Sequence, residues 1–245
     1  MVEKIYVTYN DVHKLCQKSA VRLLADFKPQ LMIAIGGGGY VPARILRSFL
    51  KQPQSPNIPI QAIGLSLYES LGGTEVEAIG TKVTRTQWLD LTALGEMENL
   101  VGKRVLIVDE VDDTRTTLEY AVKELEKDVE AARQRMGGDQ PKTQFCIFVL
   151  HNKDKPKKGT LPDDMVATRY EAAETVQDVW INYPWEAIDI DEHDKLADLG
   201  TVQRSAYIPK RGAMGHGGDS CSSRVRVYPD LYHEASLERR GEEAQ

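Results

Sequence analysis

No run in the 245-residue chain approaches the roughly eighteen consecutive apolar residues that a membrane span requires, and the polar start Met1-Val2-Glu3-Lys4 does not read as a secretory signal. The expected location is therefore the cytoplasm. An excess of positive charge is missing too. The formal net charge is −6, which argues against a general nucleic-acid or membrane surface, because phosphate-bearing partners recruit net positive faces. Cysteine is scarce. Cys16, Cys146 and Cys221 are odd in number and far apart, no Cys-x-x-Cys pair occurs and no histidine stands at ligand spacing, which excludes a disulfide framework and a zinc site. Cys16 falls on a helical stripe and Cys146 inside an apolar strand, so both read as small core residues. His13, His151, His193, His216 and His233 are scattered singly and read as ordinary surface or core residues, and no internal repeat is present.

What is present is enough apolar material, 41% of the residues, for one good α/β core. The expected organisation is one domain over residues 1–200 and a flexible tail over 201–245, where the apolar period fades and Gly212 to Ser223 is rich in glycine and serine. The arginine pairs in that tail, Arg224 with Arg226 and Arg239 with Arg240, are too few for a nucleic-acid arm. Small molecules are the expected partners.

Along the chain, Val12, Leu15, Cys16, Ala20, Leu23, Leu24 and Phe27 recur at a helical period after Thr8 or Asn10 as cap, and Pro29 closes the run. Leu31 to Ile35 reads as a buried strand that breaks into Gly36 to Gly39, with Pro42 preset for the first turn of a helix carrying Ile45, Leu46, Phe49 and Leu50. Ile58 to Leu67 and Val83 to Leu89 read as further strands on either side of a mobile segment, Glu69 to Thr81, and Gln144 to Leu150 as another buried strand. Strands alternating with helices predict an α/β fold with a mainly parallel sheet flanked by helices.

The segment Val105-Leu106-Ile107-Val108-Asp109-Glu110-Val111-Asp112-Asp113-Thr114-Arg115-Thr116-Thr117 carries the most chemistry. Its apolar start suits the centre of a parallel sheet, and its carboxylates then fall at the carboxyl end of the strand, where ligands sit in open α/β folds. Leu118, Ala121, Val122, Leu125 and Val129 follow at helical spacing, so a helix starts at the threonines and is predicted to end in the polar Glu130 to Lys142 loop. Its first amides and positive dipole end make that turn a seat for phosphate, with hydroxyls adding donors. Carboxylates beside a phosphate site need another partner, and a ribose diol supplies one for Asp109 and Glu110.

This segment resembles the 5-phosphoribosyl-1-pyrophosphate signature of the type I phosphoribosyltransferases: apolar strand, acidic pair, hydrophobic residue, then Asp-Asp-Thr-x-Thr-Thr. Most members carry glycine where this chain has Arg115, but the fungal hypoxanthine-guanine branch is similar here, arginine included. The resemblance, over roughly residues 5 to 200, implies the type I phosphoribosyltransferase fold with a small hood. It implies a purine salvage enzyme that moves the phosphoribosyl group of phosphoribosyl pyrophosphate to hypoxanthine or guanine, giving IMP or GMP. In it, Asp109, Glu110, Asp113, Thr114, Arg115, Thr116 and Thr117 would hold the phosphoribosyl group, with Asp113 as general acid/base at purine N7. Mg²⁺ would be shared with substrate, reached by Asp109 and Glu110 through ribose hydroxyls or water.

Gly38-Gly39-Tyr40-Val41-Pro42-Ala43 resembles the family's pyrophosphate loop, which assigns Gly37 and Gly38 to pyrophosphate; the Gly-x-Gly-x-x-Gly spacing of a dinucleotide turn is absent. Lys82-Val83-Thr84-Arg85 resembles the segment whose arginine reaches pyrophosphate, a task suited to a permanently charged two-pronged donor. Ser66 and Tyr68 stand where relatives keep a lid. Trp180-Ile181-Asn182-Tyr183-Pro184-Trp185-Glu186 resembles the purine segment of the xanthine-guanine and fungal hypoxanthine-guanine enzymes, with Trp180 stacking, Ile181 reading the base through its backbone and Glu186 near the 2-position or metal-bound water. Trp185 reads as core. Lys153, with Lys155 as the alternative, is expected at the purine 6-oxo group. Relatives imply a homodimer or homotetramer. Xanthine or xanthine-guanine specificity and a non-catalytic phosphoribosyl pyrophosphate sensor are the competing readings, and an oxidoreductase rests on the glycine run alone.

Overall fold

Leu106 and Val108 project to one side of their strand and Val105 and Ile107 to the other, and all four are fully enclosed, so this strand is covered on both faces. Each such side chain contributes about 1.5 to 3 kcal/mol by leaving water. The computed structural model describes residues 4–68, 79–88 and 97–206. Its regular elements are β1 (Lys4–Tyr6), α1 (Tyr9–Arg22), β2 (Leu31–Gly36), α2 (Tyr40–Leu50), β3 (Ile60–Tyr68), β4 (Ile79–Gln87), β5 (Arg104–Asp112), α3 (Thr116–Arg135), β6 (Gln144–Lys153), α4 (Asp163–Thr168), β7 (Tyr170–Val176), β8 (Trp180–Asn182) and α5 (Ile190–Ala206).

The main sheet runs β4-β3-β2-β5-β6-β7, parallel at every junction except the antiparallel edge pair β3–β4. The expected mainly parallel sheet is therefore present. Val12, Cys16 and Ala20 of α1 join Leu46 and Leu50 of α2 on one face, while Leu118, Leu125 and Val129 of α3 and Met165 of α4 cover the other. Because α2 and α3 leave adjacent strands for opposite faces, a crevice opens between the carboxyl ends of β2 and β5, the usual place for a ligand in such a sheet. The smaller layer pairs β1 with β8 in parallel, Ile5 opposite Ile181, and α5 joins it where His193 Nε2 donates to the Val7 carbonyl at 2.9 Å. This is the small hood.

Thr8 is the cap of α1, in a reciprocal capping box with Asp11. Several elements outrun their sequence-based limits. The helix α3 ends within the expected Glu130 to Lys142 stretch but runs into it as far as Arg135, because Glu130 pairs with Arg133 and Gln134 along its surface while Ala132 stays buried. Gly137 and Gly138, at φ 99° and 80°, then end it. The strand β5 extends through Asp112 and β6 through Lys153, because the ladder between them continues past the apolar core to Asp112 opposite Asn152. Ile79 to Thr81, expected in the mobile segment, open β4, whereas residues 69–78 lie outside the described residues. The expected boundary at 201 falls within α5, and residues 207–245, Cys221 included, lie outside the described residues. No helix among the described residues is long and apolar enough to cross a membrane.

Candidate active site

Asp109 and Glu110 stand on β5 where it passes out of the apolar core. Asp109 Oδ1 accepts the Glu110 amide at 2.9 Å, and burial, reinforced by the charge of Glu110, holds its carboxyl well above the usual carboxylate range. Burial, with the charge of Glu186 second, pushes Glu110 up to about 7, against the pull of the Trp185 N–H. Trp185 Nε1 donates to Glu110 Oε2 at 3.0 Å, and the Tyr183 hydroxyl donates to the Glu110 carbonyl at 3.1 Å. Two consecutive, partly buried acids at the end of β5 thus favour any partner bringing hydroxyl donors or positive charge.

The glycine turn after β2 meets this pair directly. A Cβ at Gly38 would collide with the Glu110 carboxylate, whereas one at Gly37 would meet nothing within 4 Å. Gly37 therefore borders open space beside the acidic pair, and Gly38 is what lets the turn approach it. Among the described residues no group of three or more His, Cys, Asp or Glu is gathered as for a metal cage.

Beyond β5 the chain enters α3 through Thr114 and Arg115. Arg115 occupies the N-cap position at φ 68°, ψ −3° and makes no side-chain capping bond, which leaves the first amides of α3 to an outside acceptor. The Thr114 and Thr116 hydroxyls lie 3.1 Å apart. The Arg115 side chain turns inward, its Nε and Nη2 at 3.0 and 2.9 Å from Asp112 Oδ2.

Asp113 meets both candidate lysines. It is ion-paired with Lys155 and lies 3.5 Å from Lys153 Nζ, and both ammonium groups also reach Asp178 Oδ1, at 3.0 and 3.7 Å. Lys153 is the buried last residue of β6, which the sequence placed after the strand, and Lys155 follows it in the loop. The geometry therefore joins them at one carboxylate.

Trp180 on β8 presents a free aromatic face, 54% exposed, while the Ile181 side chain is buried in the core. Tyr183 and Trp185 stack with ring centres 4.8 Å apart at 7°, and the Tyr183 hydroxyl also lies 2.9 Å from His151 Nδ1. The sequence reading passed over Tyr183; Trp185, read as core, does pack against the core cluster and also bonds Glu110. The paired aromatics flanking Pro184 were the available signal, because their partner Glu110 is 73 to 75 residues away. Arg85 is not brought to this cluster: its Nε donates to the Tyr120 hydroxyl at 3.1 Å, it pairs with Glu124, and its guanidinium lies 4.0 Å from the centre of the Trp88 ring. Ser66 and Tyr68 end β3.

No family model matches the chain. It is 57% identical over 199 residues to xanthine phosphoribosyltransferase 1 of Saccharomyces cerevisiae, covering 80% of this chain and 95% of that protein. Against the hypoxanthine-guanine phosphoribosyltransferase of Schizosaccharomyces pombe it is 53% identical over 201 residues, covering 80% and 97%. Among solved structures, a hypothetical protein from Neisseria gonorrhoeae with bound ppGpp superposes with TM-score 0.62 at 40% identity over 82% of this chain and 98% of that one. A purine phosphoribosyltransferase from Pyrococcus horikoshii superposes with TM-score 0.53 at 26% identity over 76% and 97%.

Proposed function

The chain belongs to the family of fungal hypoxanthine-guanine and xanthine phosphoribosyltransferases, and from that premise we propose that it transfers the phosphoribosyl group of phosphoribosyl pyrophosphate to hypoxanthine or guanine, giving IMP or GMP and pyrophosphate. What supports the reading is the placement of the Asp109–Glu110 pair at the carboxyl end of β5, followed directly by Asp113 with its lysines and the uncapped start of α3.

In this reading Asp109 and Glu110 accept the two ribose hydroxyls, whose donors relieve the electrostatic cost of burying two neighbouring carboxylates. The amides of α3 and the hydroxyls of Thr114, Thr116 and Thr117 hold the 5-phosphate. Gly37 lines the space into which pyrophosphate leaves. Trp180 stacks on the purine, Lys153 or Lys155 donates to its 6-oxo group, Ile181 offers backbone groups and Glu186 faces the 2-position. As the base forms its bond to the ribosyl carbon, Asp113 takes the proton from the purine ring, and the acidic corner stabilises the cationic sugar. The paired carboxylates fit a Mg²⁺ carried in with substrate, which Asp109 and Glu110 would hold through ribose hydroxyls or water. When bound, it neutralises charge on the departing pyrophosphate. Arg85 would serve pyrophosphate only after exchanging Tyr120 and Glu124 for it. The same reading places the enzyme in the cytoplasm as a homodimer or homotetramer.

Xanthine as the preferred base is the second reading, because the xanthine enzyme and the hypoxanthine-guanine enzymes match the chain at similar identity, 57% against 53% and 56%. Oxo and amino groups at the purine 2-position require opposite hydrogen-bond partners. Assay with magnesium, phosphoribosyl pyrophosphate and hypoxanthine, guanine, xanthine or adenine is expected to yield IMP and GMP fastest. Dominant xanthosine monophosphate would select the second reading, and binding without turnover of any base would leave only a sensor. Asp113→Asn should lower kcat by about 10² to 10⁴ with KM for phosphoribosyl pyrophosphate near normal. Unchanged kcat would remove Asp113 from its role.

A further inference from the structure

Arg115 holds a backbone conformation, φ 68°, that side-chain-bearing residues rarely adopt, in the loop assigned above to the 5-phosphate. Something must compensate for it. Asp112, 1% exposed, lies three residues earlier, and its Oδ2 accepts from Arg115 Nε and Nη2 at 3.0 and 2.9 Å and from the Tyr170 hydroxyl at 2.7 Å. The guanidinium also lies 5.2 Å from the centre of the Tyr170 ring. Behind the loop, Lys157 Nζ sits 3.6 Å from Asp112 Oδ1 and donates to the carbonyls of Asp112, Asp113 and Lys153 at 2.6, 3.0 and 2.8 Å. The amides of Lys158 and Gly159 both donate to the Thr114 carbonyl at 3.0 Å. The backbone of Gly159 comes so close that an added Cβ would stand 2.6 Å from the Arg115 carbonyl oxygen.

The Arg115 charge is thus spent inside the protein. Its side chain is only 16% exposed and already gives two N–H donors to one oxygen of a carboxylate with no exposure at all. We propose that Asp112 and Arg115 are a positioning pair: they clamp the phosphate loop in the left-handed turn that glycine would adopt unaided, and the 5-phosphate is held by amides and threonine hydroxyls, not by the guanidinium. Lys157, Tyr170 and Gly159 back the clamp. This rests on the reading of the loop as the phosphate site. In this chain glycine at position 115 should then be accepted better when the charge at 112 is removed with it than when Asp112 is left behind, because a buried carboxylate without its partner is costly.

The test is the KM for phosphoribosyl pyrophosphate and the kcat of four variants, with thermal unfolding recorded for each. Asp112→Asn should raise KM by about tenfold or more while kcat at saturation changes far less, since the loop loses its fixed shape but the reacting groups do not change. Adding Arg115→Gly to Asp112→Asn should restore KM to within about threefold of the parent, because glycine adopts the turn without a clamp and no unpaired cation remains. Arg115→Gly alone should fall between them. Thr117→Ala, which touches none of the clamp, should raise KM in any case. If Thr117→Ala raises KM but Asp112→Asn does not, or if the double variant is no better than Asp112→Asn, the clamp is wrong and the phosphate site stands. If Thr117→Ala also leaves KM unchanged, the phosphate reading fails and the clamp with it.

Discussion

Burial favours the protonated form of a carboxylate, and Glu110 is held at about 7 by burial first and the charge of Glu186 second. Between its ordinary value of 4.5 and about 7, the folded protein keeps a proton that the unfolded chain has released. Stability from this residue is therefore lost as pH rises through that window and is level above it. Glu110→Gln should be more stable than the parent at pH 8 by about 1 to 3 kcal/mol, with the difference shrinking towards pH 5, as read from denaturant unfolding. A pH-independent difference would show that Glu110 is not the titrating group. The acidic pair was legible in sequence because two carboxylates directly after a buried strand have few other uses. Tyr183 and Trp185, which bond the backbone carbonyl and the carboxylate of Glu110, were not, since nothing local ties an aromatic side chain to a residue 73 or 75 positions distant.

The helix α3 does two jobs with different residues. Its first turn lies in the crevice, while Leu118, Leu125 and Val129 pack under the sheet with Ile107 and Ile147. These jobs are separable. Leu125→Ala, at a position with no exposure, should lower unfolding stability by about 2 to 5 kcal/mol through lost burial and a residual cavity, yet leave kcat/KM of the remaining folded enzyme near the parent value. A stable variant with low kcat/KM would mean that the core of α3 controls the site itself. Apolar period located this helix and the central strands, because burial dictates residue type. The exact ends are another matter: the last turn of α3, Glu130 to Arg135, is held by side-chain pairs along the helix surface, and Lys153 extends its strand through the ladder to β7, where it pairs with Val176. Polar composition alone reads such ends as loop.

At the scale of the molecule, the two fungal relatives align with 80% of this chain while covering 95% and 97% of themselves, so most of what a related enzyme needs lies within the matched part. We propose that the catalytic unit extends to the end of α5, a few residues beyond the boundary at 200 read from composition. A chain ending at Ala206 is expected to keep kcat/KM within about twofold of the full chain, and a loss beyond about tenfold would place an essential element after it. The sequence by itself determined the class of fold, the central strand, the start of α3 and the acidic pair at the strand's end, because each depends on neighbours within about a dozen residues whose chemistry is specific. Only the tertiary structure decided that both lysines meet at Asp113, that Arg115 turns inward to Asp112 and that Arg85 lies on α3. Those choices depend on which strands become neighbours, and side chains far apart in the chain acquire partners only when the sheet has closed.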